Sequence, residues 1–150
     1  MEVTPPDDAE KLLSRAMDAL AAGNTQSALS LLERSLKAKD NPALHSYLGY
    51  CIAKERGQVK KGRELCLASL ELEPGNPVHY LNLAKVHQIA GSKAEAMAVL
   101  RQGMSAGGGE EVVAMLASLG TRKTPPLSLL RRDHLLNKWI GVLLGRIGLR

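Results

Sequence analysis

Four histidines, two cysteines and one run of three glycines are the residues of this sequence whose types most readily carry chemistry. To hold a metal ion on a helix, His45, His79, His87 and His134 would need a ligand partner three or four positions away, as in His-Glu-x-x-His, and none has one. His79 and His87 stand about two helical turns apart, too far to share one ion. Cys51 and Cys66 lack Cys-x-x-Cys spacing, and two thiols alone cannot complete a tetrahedral zinc site, so reduced core thiols are expected. Gly107-Gly108-Gly109 follows a helical pattern rather than a strand and lacks the Gly-Lys-Ser/Thr ending of a phosphate loop, which makes it a turn. No serine or cysteine has a base at a recognisable spacing. Neither catalytic residues nor metal nor cofactor are expected, and the chemistry left to the chain is recognition by a surface.

Such a surface needs elements to carry it, and composition says which. Aromatic residues make up 3% of the 150 residues, with no Phe, while helix-favouring residue types abound. The hydrophobic share of 45% and mean hydropathy of −0.11 fit a folded chain and exclude a disordered one. Comparison of the sequence with itself shows a period: Gly23, Gly57 and Gly91 are 34 residues apart at each step. Each is followed five residues on by a small residue (Ala28, Gly62, Ala96), then by Leu32, Cys66 and Leu100, then by Ser35, Ser69 and Gly103. These positions lie on one helical face, where small residues let a second helix approach and the larger ones fill the space between. Upstream of the glycines, apolar periodicity predicts first helices over 9–22, 43–56 and 78–90, two of them introduced by Asn41-Pro42 and Asn76-Pro77 as N-cap and first helical residue.

The unit is thus helix, turn, helix, and it resembles the tetratricopeptide-repeat (TPR) family. Ala16, Gly49 and Ala84 match the family's small residue in the first helix, and Gly23, Gly57 and Gly91 its turn glycine. The segment from Leu70 to Pro74 is similar to its repeat ending, and Tyr80 stands at its large aromatic, with Leu12 and His45 at that place in the other repeats. The resemblance spans about residues 9–110 and implies an all-α fold, an α-α superhelix forming a right-handed solenoid of three helix-turn-helix repeats. Repeat two holds one residue more between Gly49 and Gly57 than the family spacing, which predicts a distorted end to that helix. Val112, Val113, Met115, Leu116 and Leu119 predict a capping helix over the open end of repeat three, stopped at Gly120.

Charge divides the chain. Residues 1–120 carry 13 Lys and Arg against 14 Asp and Glu, whereas residues 121–150 carry 7 against 1. Residues 1–8 are read as a disordered N-terminus, 9–120 as the repeat domain with its cap, and 121–150 as a basic linker and an amphipathic C-terminal helix. In that helix Leu135, Leu136, Trp139, Ile140, Leu143 and Ile147 share one face, while Gly141, Gly145 and Gly148 each cost about 1 kcal/mol relative to Ala. A helix so weak by itself needs a surface to dock on: first the chain's own last repeats, then another copy in a homo-oligomer or a partner, then an anionic membrane surface. Specific nucleic-acid binding is not expected from a basic tail with one aromatic residue. The polar, acidic start lacks the pattern of a secretory signal, and the most apolar stretch, 135–149, is interrupted by Asn137, Lys138 and Arg146, so a cytoplasmic protein is expected.

The resemblance further implies that the first helices line a concave groove that binds a protein or peptide partner, as an interaction module or scaffold. It places Leu13, Met17, Tyr47, Tyr50, Lys54, Leu81, Asn82, Lys85 and Gln88 there. Tyr47 and Tyr50 would serve equally as binding anchors or as packing between repeats. Family members that grip a partner's terminal carboxylates use a set of Lys, Asn and Arg; here those places hold Leu13, Met17, Tyr47, Val78 and Asn82, so tight binding of acidic chaperone-tail peptides is not expected.

Overall fold

The computed structural model describes residues 6–120, which form seven α-helices: α1 (Pro6–Ala21), α2 (Thr25–Ala38), α3 (His45–Arg56), α4 (Val59–Leu72), α5 (Pro77–Ile89), α6 (Lys93–Ser105) and α7 (Glu110–Gly120). Among the described residues there is no strand. The expected pairs are present as α1/α2, α3/α4 and α5/α6, each packed as a hairpin, and α7 follows as the cap. Helix α1 begins at Pro6, three residues before the expected Ala9, because a residue without a backbone N–H is at no disadvantage in a first turn. Residues 6–8 therefore belong to the first helix rather than to the N-terminal tail. The linker over 121–126 and the C-terminal helix lie outside the described residues.

The turns follow from the glycines. Gly23, Gly57 and Gly91 adopt φ of 76°, 68° and 75°, in the left-handed region that side chains avoid. After α1 and α5 the chain closes with a paired stop: Gly23 N donates to Leu20 O and Asn24 N to Ala19 O, and Gly91 N and Ser92 N repeat this with Gln88 O and His87 O. Repeat two differs here. The extra residue does not distort α3; Gly57 N keeps a regular bond to Ala53 O, and the helix ends on this simpler cap. The irregularity lies at the other end, where Asn41 caps a 3-10 turn (Pro42–Leu44) that leads into α3, whereas Asn76 caps α5 directly through Val78 N.

Small residues set the distance within each pair. Ala16 meets α2 near Ala28, and Ala84 meets α6 near Ala96, all four buried. In repeat two both positions are glycine, and the backbones touch: a methyl group on Gly49 would lie 2.4 Å from the carbonyl oxygen of Gly62. Leu32, Cys66 and Leu100 are wholly buried between the helices. At the next small position Ser35 donates to Ala9 O in α1 and Ser69 to Pro42 O in the 3-10 turn before α3, tying each second helix to the start of its own repeat. In repeat three this position is Gly103, because Tyr80 stands there and leaves a Cβ only 2.9 Å of room.

The core forms two clusters, one around α1 to α3 and one running from Ala53 of α3 to α7, and Tyr50 packs against both. Helix α7 covers the open end of repeat three with Val112 buried and Met115, Leu116 and Leu119 against the cluster. Val113, expected in that contact, faces outward instead. Gly107 and Gly108, with φ of 126° and 60°, turn the chain between α6 and α7.

Candidate functional site

The first helices α1, α3 and α5, with the start of α7, surround a concavity of about 370 Å³. Its apolar wall comes from Met17, Leu20 and Ala21 at the end of α1, joined by Gly23 and Thr25 of the turn and α2. Tyr47 and Tyr50, one helical turn apart on α3, form the middle. Val78, Asn82 and Lys85 of α5 and Glu111 of α7 make the opposite wall.

Five of the nine expected residues therefore line one surface: Met17, Tyr47, Tyr50, Asn82 and Lys85. Leu13 packs against the first core cluster, and Leu81 is buried in the second rather than lining the concavity. Gln88 is exposed beyond the lining. Lys54 is exposed too, yet its Nζ lies 5.9 Å from the Tyr50 ring centroid, and Lys85 Nζ lies 5.0 Å from the same ring. Two ammonium groups thus lie against one aromatic ring. Tyr50 packs against both core clusters and also lines the concavity.

The electrostatics follow from partial burial. Desolvation pulls the Lys85 ammonium below its usual range, and the nearby Lys54 adds to this, while Glu111 and Cys51 oppose it. Burial likewise raises the Tyr47 phenol, helped by the charges of Glu111 and Glu73, so it remains a neutral donor. A cation that has lost part of its water gains more from an incoming anion than an exposed one does.

Beneath this surface lies a group that the sequence concealed. Asn82 Nδ2 donates to Ser46 Oγ at 3.1 Å, Ser46 Oγ lies 2.7 Å from His79 Nδ1, and His79 Nε2 lies 2.7 Å from Glu73 Oε2. Serine, histidine and carboxylate in series resemble a nucleophile with its base. Here, however, Ser46 has no exposed surface and His79 only 1%, so no substrate reaches the hydroxyl. The arrangement joins α3, α4 and α5 as a satisfied polar core. No cluster of His, Cys, Asp and Glu suited to a metal occurs among the described residues.

Sequence reasoning missed Glu111, in the first turn of the capping helix, and Leu20, Ala21 and Thr25. The buried group had one signal, polar His79 and Asn82 set three apart in a helix whose neighbours are Leu81, Leu83, Ala84 and Val86. The six residues expected to form the C-terminal docking face, Leu135, Leu136, Trp139, Ile140, Leu143 and Ile147, lie outside the described residues. Among the described residues no helix is long and apolar enough to cross a membrane.

No protein-family model and no curated protein matches the sequence. Solved structures do match. The TPR domain of Sgt2 from Aspergillus fumigatus superimposes with a TM-score of 0.60 at 20% identity, over 79% of this chain and 80% of that one. The first TPR of Spaghetti (RPAP3), bound to the HSP90 peptide SRMEEVD, gives 0.58 at 13% identity over 77% and 95%. The second TPR domain of human RPAP3, in complex with the HSP70 peptide SGPTIEEVD, gives 0.57 at 15% over 79% and 100%. Likeness at such identities is likeness of fold. The described part of the chain has the fold of the tetratricopeptide-repeat domains, three helix-turn-helix repeats closed by a capping helix.

Proposed function

We propose that the protein is an interaction module that holds an extended segment of a partner protein in the concavity of α1, α3 and α5. The observation that carries this reading is the pair of ammonium groups, Lys54 and Lys85, set against the Tyr50 ring beside the apolar side chains of Met17, Leu20, Tyr47 and Val78. A segment that fits places an acidic side chain at Lys85 and aliphatic side chains along that wall. Glu111 at the far end turns away a run of acidic residues and favours a single one followed by neutral or basic positions. Two solved neighbours in fold were captured with peptides, which supports a peptide as the occupant. Their acidic tails do not suit this groove, whose carboxylate-gripping positions hold Leu13, Met17, Tyr47, Val78 and Asn82.

The test is to pan a phage-displayed random peptide library on the full chain and to titrate the selected peptides by fluorescence anisotropy. Selected peptides are expected to carry one acidic residue among aliphatic ones. Lys85→Gln should weaken them about tenfold, in line with the loss of a charged hydrogen bond, while Lys61→Gln on exposed α4 leaves them unchanged. SRMEEVD should bind far more weakly than the selected peptides. Selected peptides indifferent to Lys85→Gln, or micromolar binding of SRMEEVD, would contradict the reading.

A further inference from the structure

The buried hydrogen bonds under the groove have a direction, and it reaches the groove surface. Glu73, half-exposed at the end of α4, also accepts from Asn76 Nδ2 at 3.1 Å, and its two hydrogen bonds hold its carboxyl below the usual range. An ionised carboxylate can only accept, so His79 Nε2 carries a proton. With Nε2 as the one protonated ring nitrogen, Nδ1 is bare and the Ser46 hydroxyl, 2.7 Å away, donates its proton there. With that proton committed, Ser46 Oγ presents only lone pairs to Asn82, whose amide must turn Nδ2 toward it. Asn82 Oδ1 is left without a protein partner. No unpartnered side-chain nitrogen or oxygen is fully buried among the described residues, and Asn82 keeps 3% exposure in a position that lines the groove. The carbonyl oxygen is therefore the atom that meets the groove.

We propose that Glu73, outside the groove, is a positioning residue that acts through His79 and Ser46 to hold Asn82 with its carbonyl oxygen toward the groove, so that a bound segment must supply a hydrogen-bond donor there. The orientation of the amide stands without any ligand. The demand on the partner rests on the groove being the binding surface.

The experiment uses the full chain, labelled with ¹⁵N, at neutral pH and without ligand. Long-range ¹⁵N–¹H correlation is expected to show His79 protonated at Nε2 and bare at Nδ1. The side-chain amide of Asn82 should show one proton protected from exchange with water and one not. Glu73→Gln replaces a pure acceptor by a group that both donates and accepts, so it should abolish the tautomer preference and the Asn82 protection together while the circular dichroism stays unchanged. Ser46→Ala should abolish the Asn82 protection and leave the His79 tautomer as it was. A merely structural role does not produce that asymmetry. A ring protonated at Nδ1, or at both nitrogens, overturns the proposal, as does an Asn82 amide unaffected by Glu73→Gln. A peptide from the library should then lose about fivefold in affinity on Glu73→Gln, the worth of one ordinary hydrogen bond. An unchanged affinity beside the expected NMR result removes the demand on the partner, and a failure to find any groove-binding peptide removes the groove reading while the amide orientation stands.

Discussion

Replacing Gly49 by Ala tests the closest contact in the fold. The added methyl lies 2.4 Å from Gly62 O, 3.1 Å from Leu65 Cβ and 3.2 Å from Cys66 Sγ. The first neighbour is backbone and cannot rotate aside. Ordinary Cβ contacts begin near 3.4 Å, so α3 and α4 must part by about 1 Å, the difference between 3.4 and 2.4. Overpacking of this kind costs about 1–3 kcal/mol, and a gap of up to 1 Å elsewhere along the pair weakens the dispersion contacts of Cys66 and Leu65. Opposing this, Ala is better than Gly in a helix interior by about 1 kcal/mol. The net expectation is a loss of up to about 2 kcal/mol, which at a urea slope of about 2 kcal/mol/M lowers the unfolding midpoint by up to about 1 M. Gly75→Ala, in a turn with nothing within 4 Å and no positive φ, serves as the control and should leave the midpoint level or slightly raised. A Gly49→Ala midpoint at or above that of the parent would refute direct backbone contact between α3 and α4.

Two further outcomes follow from burial and charge. Burial pushes both the Cys51 and the Cys66 thiol up to about 12, so neither should react with Ellman's reagent at pH 8 in the folded protein, and both should react once it is unfolded in urea. Glu73 has a depressed folded pKa, so its contribution to stability is present above its unfolded value near 4.5 and fades as the pH falls through the lower folded value. In urea titrations the parent should exceed Glu73→Gln in stability at pH 7, and the gap should close as the pH is taken below 4.

Much of the architecture is legible in the sequence because the period is written in residues that geometry constrains. A turn glycine needs positive φ, and close helices need small residues, so Gly23, Gly57 and Gly91 and the Ala and Gly pairs mark the hairpins by spacing alone. The repeat-two insertion is legible as a count but not in its effect, since the chain takes it up with a simpler cap at Gly57 and a 3-10 turn before α3 and leaves α3 regular. The groove is half legible. Positions along one helix follow a 3.6-residue period, but whether Leu81 or Val78 faces the concavity depends on the rotation of α5 against α3, which packing decides. Glu111 belongs to the groove only through the tertiary position of α7. The Ser46, His79 and Glu73 contacts join residues 33 and 6 apart in sequence on different elements, and no local spacing announces them.

The measurement that bears most directly on the account is an amide chemical-shift map of the full chain titrated with a library-selected peptide. The account predicts perturbations gathered at Met17, Tyr47, Tyr50, Asn82, Lys85 and Glu111, and their loss together with binding in Lys85→Gln. Perturbations gathered on α2, α4 and α6, with those six residues unmoved, would contradict it.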